Sequence, residues 1–119
     1  MKRLLFRLAR SPISRYFIGW VFTYMSWTIP VKRLHETPTL LAFYHPVPSH
    51  RVHILIVPKR TYASITAINP DDAAFFADLL HTVAKLVADL SLEAPGYRLI
   101  CNGGAYQDVP QVHFHLISG

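Results

Sequence analysis

One long amphipathic segment, flanked by short apolar runs, most constrains what this chain can fold into. Asn69 is a favourable helix N-cap, Pro70 suits the first helical position, and Asp71 and Asp72 suit the positive end of the helix dipole. Apolar residues then recur at spacings of three and four, which predicts one wide stripe facing the core and a helix ended by Pro95-Gly96. The stripe consists of Phe75, Phe76, Leu79, Leu80, Val83, Leu86, Val87 and Leu90.

Short apolar and β-branched runs on both sides of this helix predict strands. The first two runs are joined by a proline-rich turn, residues 45–50, which is consistent with a hairpin. Strands before and after a single long helix predict an α+β domain with an antiparallel sheet. A chain of 119 residues is long enough for one such domain with a core of its own. The predicted strands are 39–44, 52–57, 97–101 and 111–117.

The net charge of +5 is distributed unevenly along the chain. Residues 1–35 contain seven basic and no acidic residues, giving +7, whereas residues 36–119 contain five basic and seven acidic residues, giving −2. Because the globular part is mildly acidic, the basic excess does not predict a nucleic-acid partner. The positive field belongs to the N-terminal segment alone.

The N-terminal segment contains an uncharged run, residues 16–31, between Arg15 and Lys32. The run is shorter than the roughly 20 apolar residues of a membrane-spanning helix, and no small-x-small cleavage site follows it. Two interpretations stay open: a helix docked on the domain or on a partner subunit, and a basic interfacial helix in peripheral contact with a membrane. The single cysteine, Cys101, suits a reducing compartment, so we predict a cytoplasmic protein, with membrane association as the second interpretation.

His113 and His115 alternate along the last predicted strand, so they share one face with Gln111. A His-x-His pair has three interpretations: a structural pair on a solvated face, two metal ligands, or a nucleophile beside a phosphate binder. An oriented imidazole attacks phosphorus, and a second imidazole can stabilise charge on the transferring oxygens.

The stretch from Asn102 to Gly119 resembles the motif of the histidine triad (HIT) family, in its Hint-like branch. That motif contains an Asn, a glycine-containing loop, a Gln, and then His-φ-His-φ-His-φ-φ closing on Gly. Residues 41–43 and 54–59 are similar to the first two strands of the family, and residues 29–32 to the entry into them. The resemblance implies a HIT-like domain over 29–119, with about five antiparallel strands and one long helix, preceded by an N-terminal helical segment over 1–28.

The resemblance also implies an activity. HIT proteins of this type are nucleotide hydrolases or nucleotidyl transferases that act on nucleoside phosphoramidates or polyphosphates through a nucleotidyl-histidine intermediate. His113 corresponds to the attacking histidine, His115 to a residue that contacts phosphate oxygens, and His53 to a histidine that supports the catalytic ring. Gln111 occupies the position of the first triad histidine. The implied ligand is a purine nucleotide, the implied assembly is a homodimer, and the mechanism requires neither a metal nor another cofactor.

Further ligand contacts follow from the same likeness. The phosphate-side positions are Asn102, Gln107, Asp108 and His115. The nucleoside-side positions are Phe43, Tyr44, His45 and Pro46.

Three positions depart from the family pattern. Gln111 cannot carry charge near neutral pH, and His45 replaces an aspartate that holds the ribose hydroxyls with an imidazole that offers one acceptor at most. Asp108 replaces a serine that donates to phosphate. These departures motivate one alternative to the enzyme hypothesis, a catalytically weak nucleotide-binding or signalling module. A second alternative, independent of them, is a metal site built from His53, His113 and His115 with or without Asp108.

Overall fold

Five strands form one antiparallel sheet in the order β1-β2-β3-β5-β4 in the computed structural model, which describes residues 33–119. One long helix, α1, connects β3 to β4. The predicted α+β class, with five antiparallel strands and one long helix, is confirmed. The elements are β1 Arg33–Glu36, β2 Leu40–Tyr44, β3 Val52–Pro58, α1 Ala73–Asp89, β4 Arg98–Ile100 and β5 Phe114–Ser118.

The predicted N-terminal helix lies outside the described residues, and so do both of its interpretations, docking on the domain or a partner subunit and peripheral membrane contact. Within 33–119, no helix has the length and apolar character needed to cross a membrane.

Side-chain alternation gives the sheet two different faces. Even-numbered residues of β2, β3 and β5 pack toward α1 and form the main core. On the opposite face, Leu41, Phe43 and Val57 form a smaller buried cluster with the partly buried Leu55. Register pairs Phe43 with Leu55 and Leu55 with His115, so these three side chains form one row across the sheet. Histidines on this second face therefore lie beside an apolar surface.

Helix α1 begins at Ala73, three residues later than the predicted start at Pro70. Asp72 is the N-cap, because its side chain accepts a hydrogen bond from the Phe75 N–H at 3.2 Å. A second oxygen of Asp72 accepts from the Tyr62 hydroxyl at 2.7 Å. Asn69 instead accepts from the Asp71 N–H at 2.9 Å, which closes a turn before the helix. The hydrogen bond from Tyr62, ten positions earlier in the chain, holds the Asp72 side chain at the start of the helix, so Asp72 rather than the predicted Asn69 is the N-cap.

The stripe that α1 buries differs from the predicted one at two positions. Leu80 is 68% exposed, whereas the Thr82 side chain is fully buried. The buried residues of α1 follow the spacing 4-3-4-1. The prediction of Leu80 as a core residue was wrong: Val87, seven residues later and about 20° away around the helix, is buried, so the helical period alone does not determine which apolar residues the sheet covers. The buried positions are Phe75, Leu79, Thr82, Leu86 and Val87.

The helix ends at Asp89, not at Pro95-Gly96 as predicted. Ser91 adopts a left-handed φ of 54°. The Ser91 N–H donates to the Ala88 carbonyl at 3.2 Å and the Leu92 N–H to the Val87 carbonyl at 2.9 Å, the two hydrogen bonds of a Schellman motif. A side chain in this conformation costs roughly 1–2 kcal/mol, a strain that glycine does not have.

Ser91→Gly is expected to stabilise the protein by about 0.5–1 kcal/mol, because relief of the strain outweighs the added flexibility of the unfolded chain. Urea unfolding of the two proteins measures this difference. Ser64→Gly is the matched control, since Ser64 has an extended φ of −154° and gains nothing from glycine. A Ser91→Gly protein no more stable than the parent would contradict the prediction.

The C-terminal strand is shorter than predicted. It begins at Phe114, and residues 111–113 lead into it. The Val112 N–H bonds to the Tyr62 carbonyl at 2.8 Å rather than to β3. His113 is therefore held by a connecting segment at the end of the sheet, while His115 belongs to the strand itself.

Candidate active site

Five of the seven histidines lie together at one end of the sheet. Ring centroids are 4.4 Å apart for His45 and His53, 5.1 Å for His53 and His115, and 5.0 Å for His113 and His115. His50 lies 5.6 Å from His53. Two of these rings come from the turn between β2 and β3, one from β3, one from β5 and one from the segment before β5. The sheet thus brings together residues up to 70 positions apart in sequence.

The cluster opens on a cleft of about 380 Å³, a size suited to a small-molecule ligand. Four of its lining residues are aliphatic and form an apolar part of the wall. Asp108 is the only aspartate, glutamate, lysine or arginine among the described residues that line it. The lining consists of His45, Val47, Ser49, His53, Leu55, Val57, Asn102, Tyr106, Asp108, Val109, His113 and His115.

Hydrogen bonds determine which nitrogen of His53 and of His115 carries the proton in the neutral rings. The main-chain N–H of Ser49 donates to His53 Nδ1 at 3.0 Å, so that nitrogen must be an acceptor. His53 therefore carries its proton on Nε2 and donates it to His115 Nδ1 at 2.8 Å. His115 in turn carries its proton on Nε2. The main-chain N–H of Ser49 thus sets the protonation of His53, and His53 sets that of His115, which can donate a hydrogen bond from Nε2.

His113 has the opposite arrangement. Its Nδ1 lies 2.8 Å from the main-chain carbonyl oxygen of Gln111, and because a carbonyl only accepts, His113 Nδ1 carries the proton. The Nε2 lone pair of the neutral ring is therefore unprotonated, as a nucleophile requires. The contact comes from the main chain, so the side chain at position 111 does not orient the ring.

Burial keeps the supporting rings uncharged. Loss of solvent lowers the pKa of His53 to about 4, and the neighbouring His45 and His50 act in the same direction. Burial also lowers the pKa of His115 to about 4, reinforced by the adjacent imidazoles, while Asp108 opposes the shift. The pKa of His45 is lowered by burial and by His113. Neutral His53 and His115 at pH 7 agree with the proton positions that the hydrogen bonds require.

Gln111 is fully buried and does not line the cleft. Its side-chain amide donates to the carbonyls of Pro58 at 3.3 Å and Arg60 at 2.9 Å, which ties the segment before β5 to the end of β3. Its side chain holds this segment in place, and its main-chain carbonyl holds His113.

The predicted phosphate-side residues divide into two groups. Asn102, Asp108 and His115 line the cleft. Gln107 lies in the wall of a neighbouring cavity, and its amide donates to the carbonyls of Ala63 at 2.6 Å and Val109 at 2.9 Å. The structure therefore does not bring the amide of Gln107 to the histidines.

The predicted nucleoside-side residues are also separated. His45 lines the cleft, with Nδ1 accepting from the Val47 N–H at 2.9 Å. Phe43 is 3% exposed and packs in the cluster of Leu55, which lines the cleft. Tyr44 packs against the core on the α1 face, and Pro46 is exposed outside the cleft lining. Strand alternation turns Phe43 and Tyr44 to opposite faces.

Sequence reasoning missed several residues that line the cleft, notably Ser49 and Tyr106. Ser49 acts through its main-chain N–H, which no side-chain motif signals. Tyr106 ends a short 3₁₀ turn and is 83% exposed. The alternation along β3 did carry a signal for Leu55 and Val57, because both share the face of His53.

The alternative metal site has no counterpart in the part of the chain that the structure describes, where no group of three or more His, Cys, Asp or Glu side chains could hold an ion. His53 Nε2 and His115 Nδ1 face each other across a hydrogen bond instead of converging on a common point. His113 Nδ1 is bonded to a carbonyl.

The cleft of this five-stranded α+β domain thus holds two adjacent imidazoles, His113 with an unprotonated Nε2 and His115 with a protonated Nε2. Residues 27–119 match the family model of the HIT domain, and the chain belongs to the HIT family. It is 32% identical over 93 residues to an uncharacterised HIT-like protein of Helicobacter pylori, covering 76% of this chain and 86% of that protein. The predicted membership of the histidine triad family is confirmed.

Solved structures agree with this assignment. A HIT family hydrolase from Legionella pneumophila superposes with a TM-score of 0.74 at 33% identity, covering 82% of this chain and 89% of that one. A histidine triad nucleotide-binding protein from Candida albicans gives a TM-score of 0.69 at 31% identity, covering 84% and 71% of the two chains. The chain thus shares its fold with a hydrolase and with a nucleotide-binding protein.

Proposed function

We propose that this protein hydrolyses a nucleoside phosphoramidate or polyphosphate, or transfers its nucleotidyl group, through a covalent intermediate on His113. The observation that carries the proposal is the opposite protonation of two adjacent rings: His113 offers a lone pair at Nε2, and His115 offers an N–H at Nε2. A phosphoryl group between them would meet a nucleophile on one side and a donor to its oxygens on the other.

The reaction with a phosphoramidate balances in two steps. His113 Nε2 forms a bond to phosphorus, and the phosphorus–nitrogen bond breaks, so that the amine leaves with the electron pair and takes one proton from solvent. Water then attacks phosphorus, the bond to His113 breaks with its electrons returning to Nε2, and one proton of the water is released. The products are an amine and a nucleoside monophosphate. His115 Nε2–H donates to a phosphate oxygen throughout, and His53 positions it.

The nucleotide is the predicted purine nucleotide, with its base against the apolar wall formed by Leu55 and Val57. The predicted homodimer belongs to the same proposal. The outer edge of β4 has no strand partner in residues 33–119, and Tyr97 just before this strand and Leu99 within it are 40% and 38% exposed. These features support pairing with a second copy.

Trapping the intermediate tests the mechanism directly. After rapid mixing with adenosine phosphoramidate and a denaturing quench, we expect a mass increase of one nucleotidyl group, located on His113 by fragmentation. His81→Ala is the matched control, because His81 is an exposed residue of α1, and it should form the same adduct. An adduct on another histidine would contradict the proposal. Nucleotide binding without adduct or turnover would favour the non-catalytic module.

A further inference from the structure

His45, the residue that follows β2, is held in one position by three contacts. Its main-chain N–H donates to the His53 carbonyl at 2.8 Å, which extends the pairing of β2 with β3 by one residue. Its ring packs against the ring of His53, with centroids 4.4 Å apart and planes inclined by 33°. Its Nδ1 accepts from the Val47 N–H at 2.9 Å. The imidazole is therefore fixed in the wall of the cleft before a ligand enters.

The contact with Val47 also determines which nitrogen of His45 carries the proton. A main-chain N–H only donates, so Nδ1 is the acceptor and the neutral ring carries its proton on Nε2. Burial lowers the pKa of His45, and His113 lowers it further, which favours the neutral ring at pH 7. His45 thus has the same protonation as His115, and both states follow from main-chain N–H groups of the turn between β2 and β3.

The proposed reaction requires hydrogen-bond donors in the cleft. In phosphoryl transfer the negative charge is spread over the oxygens of the transferred group, and fixed donors or cations stabilise it. No lysine or arginine lines the cleft among the described residues, so this stabilisation depends on N–H and O–H groups.

His45 lies within electrostatic range of both reacting histidines. His113 lowers the pKa of His45, and His45 in turn lowers the pKa of His115. The rings of His45 and His115 are nearly parallel, with planes 23° apart and centroids separated by 6.3 Å. Two N–H groups on separate rings can donate to two different oxygens of one phosphoryl group, whereas a single N–H cannot.

We propose that His45 is a further catalytic residue, whose Nε2–H donates to one non-bridging oxygen of the transferred phosphoryl group while His115 Nε2–H donates to the other. This inference rests on the proposed function. It assigns His45 to the phosphoryl group, whereas the resemblance to the HIT family assigned it to the nucleoside. The bonds that form and break are those of the two steps described above, and His45 keeps its proton throughout.

Three variants of His45 separate donation to phosphate from other roles. His45→Leu removes the N–H and is expected to lower kcat for adenosine phosphoramidate about a hundredfold, as the loss of one oxyanion donor does, with little change in KM. His45→Gln supplies an amide N–H and should recover about tenfold of this loss. His45→Asp still accepts from the Val47 N–H but presents an anion to the phosphate, so its kcat should be no higher than that of His45→Leu.

The 2′,3′-dideoxy analogue of the same phosphoramidate tests the sugar role directly. Because this analogue has no sugar hydroxyl, the loss caused by His45→Leu should be the same on both substrates, within about threefold. His81→Leu is the matched control: it makes the same exchange at an exposed position of α1 and should keep the parent kcat. A loss that disappears with the dideoxy substrate would assign His45 to the sugar and overturn the inference.

Two further outcomes would overturn the inference and leave the role of His113 intact: equal kcat in the parent and His45→Leu proteins, or a His45→Asp protein as active as the parent. If the parent protein turns over neither substrate, the proposed function fails, and equilibrium binding then decides the role of His45. The gain in affinity from adenosine to AMP, which reports the phosphate contacts, should be about tenfold smaller in His45→Leu than in the parent. An equal gain in the two proteins would overturn the inference as well.

Discussion

Replacing His113 by alanine is expected to lower kcat/KM for adenosine phosphoramidate by about a thousandfold or more. The expected loss is large because no other group in the described cleft presents an unprotonated nitrogen in the same way: His115 Nδ1 accepts from His53, and His53 Nδ1 accepts from the Ser49 N–H. Water would have to attack the phosphorus directly. Steady-state assays over a range of substrate concentrations measure the effect.

Three comparisons show that the loss is one of catalysis rather than of folding or binding. His113 is only partly buried, so its removal should leave the melting temperature within a few degrees of the parent value. Nucleotide binding should persist, because His115 and the apolar wall are intact. His81→Ala should keep full activity. A His113→Ala protein that retains more than a tenth of the parent kcat/KM would rule out the proposed nucleophile.

Acidification from about pH 6.5 to 4 is expected to destabilise the fold by an amount on the order of a few kcal/mol. The pKa values of His53 and His115 are lowered from 6.5 to about 4 in the folded protein. Between these pH values the unfolded chain binds more protons than the folded one, so each step down in pH favours unfolding. Above pH 6.5 and below about 4 these two groups contribute no further slope. Urea unfolding at intervals from pH 7.5 to 4 measures the curve.

His53→Gln is the informative variant for this prediction. The Gln side-chain amide can replace the Nε2–H donor of His53 toward His115 but takes up no proton, so the slope between pH 6.5 and 4 should fall by about one proton. His81→Asn, at an exposed position, should leave the slope unchanged. If the free energy of unfolding fell equally steeply with pH in the parent and His53→Gln proteins, protonation of His53 would not cause the acid sensitivity of the fold. The carboxylates of Glu36 and Asp78, whose pKa values are lowered by hydrogen bonds with Lys59 and Thr39, add their losses at lower pH.

Local sequence was sufficient to predict much of this architecture. The β-branched and apolar run at β3 predicted a strand. The alternation of side chains around His115 predicted a second strand and placed the histidines on the face opposite the core. The spacing of apolar residues predicted one long helix. These features are determined by residues close together in the chain, so a pattern can show them.

The parts that could not be predicted depend on contacts between distant segments. Asp72 is the helix cap rather than Asn69 because Tyr62 fixes its carboxylate. Gln107 is turned away from the histidines because its amide bonds to Ala63, 44 positions earlier. The proton positions on His53 and His115 depend on pairing between β3 and β5 and on a loop N–H. A motif lists residue types, but it does not show which partner each side chain has.

The main-chain donor at position 49 has an evolutionary consequence. Any amino acid except proline supplies the N–H that sets the protonation of His53, and through it that of His115. Residue 49 can therefore vary widely among descendants of this protein without changing which ring nitrogens of His53 and His115 carry a proton. Searches for functional positions that score only side-chain identity would pass over it, although a single exchange to proline there would remove the donor on which two histidines depend.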